Sequence, residues 1–128
     1  MAERLRRILV TDDKAEIRDF VRMVLEENGY HVILAYDGED CLRRVLEEKP
    51  DMLIIDIMMP KKSGYHALQE LGAKDPRVRN IPILIMAGSM NIRELFDDWK
   101  IQGFLQKPFT SKQLLEKVEA AWQRRDHA

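Results

Sequence analysis

Five times along this chain a short apolar run gives way to a stretch with helical periodicity, and that alternation limits the folds open to it. Ile8-Leu9-Val10 precedes Ile17, Val21, Val24 and Leu25 at helical spacing, and Asn28-Gly29 closes that helix. Residues 31–36 read as a second strand with Asp37-Gly38 as its turn; Leu42, Val45 and Leu46 mark a short helix stopped by Pro50. Residues 52–55 form an unbroken apolar run, the pattern of a strand buried on both faces of a parallel sheet. Ala67, Leu68 and Leu71 give a third helix, followed by a polar loop around Asp75-Pro76 and a fourth apolar run at 83–86. Ile92, Leu95, Phe96 and Trp99 make one stripe of a fourth helix, which Asn91 can cap with Glu94 three residues on. Residues 103–106 read as a weaker fifth strand. Leu114, Leu115, Val118, Ala121 and Trp122 build the last helix behind the capping box Thr110-Ser111-Lys112-Gln113. Parallel neighbours need crossover helices, so five strands alternating with five helices predict an α/β doubly wound sheet. With 128 residues and no linker, repeat or low-complexity segment, residues 1–128 read as one domain.

Composition narrows the function classes. A net charge of −1 gives no overall basic field to attract nucleic acid or an anionic membrane. Arg4, Arg6, Arg7 and the Arg124-Arg125 pair read as solvated ends. Cys41 is the only cysteine, which excludes an internal disulfide and a thiolate metal cluster, and it reads as a small buried hydrophobe. No apolar run reaches the length of a membrane span and no signal peptide opens the chain, so a cytoplasmic protein is expected.

In an open parallel sheet, ligands bind beyond the carboxyl ends of the strands, near the point where strand order reverses. The first strand delivers Asp12 and Asp13 there, the third Asp56, the fourth Ala87-Gly88-Ser89 and the fifth Lys107-Pro108. Each has a purely structural reading. Asp13 can cap the following helix, since Asp13-Lys14-Ala15-Glu16 has capping-box spacing. Asp56 can be a turn residue ahead of Met58-Met59-Pro60, and Lys107 a solvated lysine. The combination asks for more. Two unit charges about 4 Å apart interact by roughly 4 kcal/mol at an effective dielectric near 20, so three gathered carboxylates call for a cation. Mg²⁺ suits hard oxygen ligands beside a phosphate, and no EF-hand calcium loop is present. The chain lacks a GxxxxGK[ST] phosphate loop, a GxGxxG turn and a nucleophile elbow. The best-placed nucleophile is then the Asp56 carboxylate, able to form an acyl phosphate while Mg²⁺ and Lys107 neutralise the phosphoryl oxygens.

These residues resemble the receiver domain of bacterial two-component response regulators along essentially the whole chain. The matching stretches are Ile8-Leu9-Val10-Thr11-Asp12-Asp13, Asp56-Ile57-Met58-Met59-Pro60 with Gly64 four residues later, and Gly103-Phe104-Leu105-Gln106-Lys107-Pro108-Phe109. The resemblance implies a flavodoxin-like sheet in the order 2-1-3-4-5 and a phosphoacceptor at Asp56, charged by a sensor histidine kinase or a histidine phosphotransfer protein. It makes Asp13 a direct Mg²⁺ ligand, Asp12 a ligand through water, and the Met58 backbone carbonyl the last protein ligand. Lys107 would pair with the phosphoryl group across a cis Lys107–Pro108 bond. An acceptor module is implied rather than an enzyme, one that at most promotes its own phosphorylation and dephosphorylation. Its partner surface would serve an unnamed downstream protein or output domain. No helix-turn-helix follows the last helix, so direct DNA binding is not expected of this chain.

The chain departs from the family at Ala87, where a Thr or Ser hydroxyl is usual. The Gly88 amide can still meet a phosphoryl group, and Ser89 can partly substitute. Phe104 takes the place of the switching aromatic, with an ordinary strand phenylalanine as its structural reading. The segment between Ala87 and Lys107 is slightly short, so a trimmed fourth helix is expected. Two rivals follow: a pseudo-receiver that binds partners without phosphorylation, favoured by Ala87, and a haloacid-dehalogenase-like phosphatase, disfavoured because Met58 stands where that family needs a second Asp.

Overall fold

The structure is a computed structural model and describes residues 6–59, 63–89, 96, 99 and 101–126. Five strands, β1 (Arg7–Thr11), β2 (His31–Ala35), β3 (Met52–Asp56), β4 (Ile83–Ala87) and β5 (Gly103–Gln106), form one sheet. They pair in parallel in the order β2-β1-β3-β4-β5 expected from the resemblance. Helices α1 (Ala15–Glu27), α2 (Gly38–Glu48), α3 (Gly64–Lys74) and α4 (Ser111–Asp126) connect or follow the strands.

Two apolar layers sandwich the sheet. Leu53 and Ile55 of β3 join Cys41 and Val45 of α2 and Ala67, Leu68 and Leu71 of α3 on one face. Met52 and Ile54 join Val21, Val24 and Leu25 of α1 and Leu114, Val118 and Trp122 of α4 on the other. Successive side chains on a strand point to opposite faces, so a strand covered on both sides must be apolar throughout. The unbroken run at 52–55 has that cause. Cys41 is buried as expected, and burial pushes its thiol up to about 12.

Several local expectations need correction. Asp37 is the N-cap of α2 rather than part of a strand turn: its carboxylate accepts from the Asp40 amide at 2.7 Å, and the helix starts at Gly38. The purely structural reading of Asp13, as a cap of α1, is not what the chain adopts. The N-cap is Lys14, without a side-chain cap, and the Lys14 amide donates instead to the Asp12 carboxylate at 2.9 Å. The loop at Asp75-Pro76 is a 3-10 helix, Pro76–Asn80, which Asp75 caps through the Arg77 amide at 3.1 Å. Where five helices are expected, the described residues hold four α-helices. The expected fourth helix, with its cap at Asn91, lies outside the described residues apart from Phe96 and Trp99. Trp99 fits against Gly72 of α3 beneath the Arg79 guanidinium, 4.2 Å from the ring centroid. The basic start is not merely solvated: Arg6 covers Trp122 at 4.4 Å and Arg7 pairs with Glu48 at 3.1 Å. The last helix opens on its expected capping box, Gln113 amide to Thr110 Oγ1 at 3.1 Å and Thr110 amide to Gln113 Oε1 at 2.8 Å.

Gly64 brings α3 against the end of β3. Its amide donates to the Ile57 carbonyl at 3.0 Å. A Cβ there would collide with the Asp56 carbonyl oxygen and stand 2.9 Å from the Ile57 Cα, backbone that cannot swing aside. At Gly88 a Cβ would meet nothing within 4 Å. Gly64→Ala should therefore lose roughly 1–3 kcal/mol, as overpacked sites do. Gly88→Ala should stay within about 0.5 kcal/mol of the native protein. Urea unfolding of both variants checks the contrast; equal losses would refute the packing account.

Candidate functional site

Strand order reverses between β1 and β3, which lie side by side with Thr11 opposite Ile55. The next residue of each strand's path is Asp12 and Asp56, so parallel register alone brings two carboxylates to one end of the sheet. Asp12 is 0% exposed and Asp56 3%. Asp13 is exposed at the mouth. Carboxylate oxygens of Asp12, Asp13 and Asp56 all lie within 4.8 Å of one another.

Lys107 reaches this cluster from two strands away. Its amide donates to the Ala87 carbonyl at 2.8 Å, which ties the end of β5 to the end of β4. Its Nζ donates to Asp12 Oδ2 at 2.6 Å and to Asp56 Oδ2 at 3.0 Å. The Lys107–Pro108 peptide is cis, as expected. The Met58 amide donates to Asp56 Oδ1 at 3.1 Å, while the Met58 side chain is exposed. Asp12 receives the Lys14 amide on its other oxygen and the Arg18 guanidinium on its backbone carbonyl at 2.7 Å.

Burial pushes the Asp56 carboxyl above its ordinary value and the negative Asp12 adds to the rise, against the pull of the Lys107 and Met58 hydrogen bonds. A carboxyl raised in the folded state adds stability in acid that is lost as pH climbs through its folded pKa, so ionised Asp56 opposes folding at neutral pH. Burial works against the Lys107 charge, but the bonds to Asp12 and Asp56 outweigh it and hold the ammonium's pKa above the usual lysine value.

Among the described residues, three carboxylates thus meet the Lys107 ammonium in the cluster, leaving excess negative charge beside exposed Asp13. The donors are all hard oxygens, a set that fits a divalent cation such as Mg²⁺ and offers no soft ligand. Ala87 is buried in β4 and contributes only its carbonyl, to Lys107. Gly88 and Ser89 are exposed at the strand's end. Phe104 of β5 packs on Phe96, ring centroids 6.2 Å apart, and Phe96 meets Tyr65 of α3 edge-on at 5.5 Å. Sequence reasoning passed over Arg18. Its one signal is a cation in the first turn of α1, where the helix dipole disfavours positive charge.

Comparison with known proteins agrees with this geometry. Residues 8–119 match the family model of the response regulator receiver domain. Response regulator MprA of Mycobacterium tuberculosis is 35% identical over 121 residues, 92% of this chain and 51% of its own length. Response regulator RR06 of Streptococcus pneumoniae is 32% identical over 115 residues, 88% of this chain and 51% of that protein. The chain therefore spans about half the length of these curated relatives. The chemotaxis response regulator CheY4 of Vibrio cholerae superposes with a TM-score of 0.85 at 25% identity, over 92% of this chain and 99% of that one. A response regulator receiver domain protein of Clostridium thermocellum gives 0.83 at 28% identity, over 95% and 98%. Among the described residues no helix is long and apolar enough to cross a membrane. The carboxylate cluster at the switch point of a 2-1-3-4-5 sheet, the lysine that bridges it and these matches together make this chain a member of the response regulator receiver domain family, a phosphoacceptor signalling module.

Proposed function

We propose that Asp56 is the phosphoacceptor of this receiver domain and that a histidine kinase or a histidine phosphotransfer protein is its donor. The observation that carries the reading is the Lys107 ammonium set between Asp12 and Asp56, at 2.6 and 3.0 Å, inside a cluster of three carboxylates. In the transfer, an Asp56 carboxylate oxygen attacks phosphorus, the P–N bond of the phosphohistidine breaks, and the imidazole nitrogen leaves with the electron pair. Lys107, no longer needed to neutralise a free Asp56 carboxylate, stays within reach of the phosphoryl oxygens, and the exposed Gly88 amide is free to meet them. Asp12, Asp13, Asp56 and the Met58 carbonyl would hold Mg²⁺, which when bound offsets charge on the phosphoryl oxygens. Asp12 keeps Lys107 in place, and Asp13, exposed and close to both buried carboxylates, faces the incoming ion. The module works in the cytoplasm, as one domain over residues 1–128, and hands its signal to a downstream protein or output domain.

Incubation with a small phosphodonor and Mg²⁺, followed by intact-mass measurement, should add one phosphoryl group per native chain and none to Asp56→Asn. Because ionised Asp56 opposes folding at neutral pH, that variant should melt no lower than the native protein. Equal labelling of both proteins would reject Asp56 as the acceptor; no labelling of the native chain would favour a phosphorylation-independent interaction module.

The metal assignment has its own test. An ion that binds the folded state alone stabilises it by about 2.7 kcal/mol at a concentration a hundredfold above its dissociation constant. Saturating Mg²⁺ should raise the melting temperature of the native protein, and Asp13→Ala should lose that response. A response that survives in Asp13→Ala would place the ion elsewhere.

Ala87 limits what phosphorylation can do next. A hydrogen bond to a charged group contributes about 1.5–3 kcal/mol, and the Ala87 methyl cannot make one. A ligand shifts a two-state equilibrium only by its differential affinity for the two states. Phosphorylation here should move the active population less than in relatives that keep the hydroxyl. With beryllofluoride as phosphoryl mimic, NMR shifts of the native protein should cluster near Asp56, and those of Ala87→Thr should extend to Phe104. Equally extensive shifts in both would mean that the hydroxyl is dispensable.

A further inference from the structure

The acidic end of β1 is held by contacts of unequal kind. The Asp12 amide donates to the Ala35 carbonyl at 3.2 Å, and the Asp12 carboxylate is fixed by Lys14 and Lys107. Among the described residues nothing ties down the Asp13 carboxylate. Where it points follows from the orientation of the Asp12–Asp13 peptide, and the carbonyl of that peptide accepts one hydrogen bond, from Arg18 Nη1 at 2.7 Å. Long side chains on a helix lean towards its N-terminus, which brings Arg18 back over the loop it follows. That position sets a cation against the positive end of the helix dipole, a place an arginine would leave for solvent were nothing holding it. Arg18 is half-buried instead, with Nη1 on the Asp12 carbonyl.

We propose that Arg18 is a positioning residue for Asp13: by clamping the Asp12–Asp13 peptide it aims the exposed carboxylate at Asp12 and Asp56, and so sets the metal affinity of the site. The claim rests on the metal reading given above. An aimed ligand needs no reordering when the ion arrives, whereas a freely turning peptide must be fixed first. Arg18 acts through a backbone carbonyl and does not touch the ion, the acceptor or the phosphoryl group.

The test pairs a metal-free and a metal-dependent measurement on native protein, Arg18→Ala and Arg18→Lys. In metal-free ¹⁵N–¹H spectra the Asp13 and Lys14 amides of Arg18→Ala should shift and broaden, while its urea midpoint stays near the native one. Calorimetric titration should show Mg²⁺ affinity reduced about tenfold, the lower end of what loss of a ligand-orienting partner does. Arg18→Lys, which keeps a donor within reach of the carbonyl, should recover part of it. Should Arg18→Ala fail to fold, Arg18→Met keeps the aliphatic stem and carries the same readings. Native Mg²⁺ affinity with a lowered urea midpoint would make Arg18 a structural residue and overturn the proposal, as would native Asp13 amide positions in Arg18→Ala. If the native chain itself binds no Mg²⁺, the metal reading fails, and the positioning claim is decided by the metal-free Asp13 amide alone.

Discussion

The bridge from the Lys107 ammonium to Asp12 and Asp56 is the contact on which this end of the molecule depends. Two carboxylates that are almost wholly buried repel each other more strongly than they would in bulk water. One ammonium, 95 and 51 residues away in sequence, compensates both. Removing the Lys107 ammonium would leave both carboxylates uncompensated, and breaking a buried ionic group in that way typically costs about 3–5 kcal/mol. The bridge requires β5 to lie beside β4 with Gln106 opposite Ala87, so that Lys107 emerges at the right level. It also requires β1 and β3 to be neighbours. The order of the sheet and the charge balance of the pocket are therefore one constraint seen from two sides.

Backbone does much of the remaining placement. The amides of Lys14 and Met58 hold one oxygen each of Asp12 and Asp56, leaving the other oxygens to Lys107. The start of α3 lies close against Asp56 and Ile57 because it begins with a residue that has no Cβ. Each buried carboxylate is thus held by one backbone amide and by Lys107, an arrangement fixed by the fold. Ala87 supplies a carbonyl to Lys107 but no side-chain donor, and Phe104 meets Phe96, which in turn meets Tyr65 just beyond Gly64. Among the described residues, aromatic packing through Phe96 links Phe104 of β5 to Tyr65 of α3.

The strands and most helices were readable in the sequence because burial on both faces leaves an unbroken apolar run, and burial on one helical face leaves a stripe. Local chemistry at element ends was less readable. Asp37 looked like a turn residue and Asp13 like a cap, since both roles use the same residue types at the same spacing. Asp37 does cap, whereas α1 has Lys14 as its N-cap with no side-chain cap, and Asp13 is exposed at the mouth of the site. Arg18 left only a weak signal, a cation in the first turn of α1, because a charged residue on an amphipathic helix is ordinarily solvated.

By itself, then, the sequence determined the alternation of strand and helix, the apolar strands that demand two covering layers, and the acidic or basic residues waiting at strand ends. Those features repeat over two to four residues and need no knowledge of the rest of the chain. Only the tertiary structure decided that Thr11 faces Ile55, that Lys107 reaches past β4 to two buried carboxylates, and that Arg18 turns back onto the Asp12 carbonyl. Each of these joins groups whose pairing depends on register and on which strands are neighbours, and no local pattern of residues carries that information.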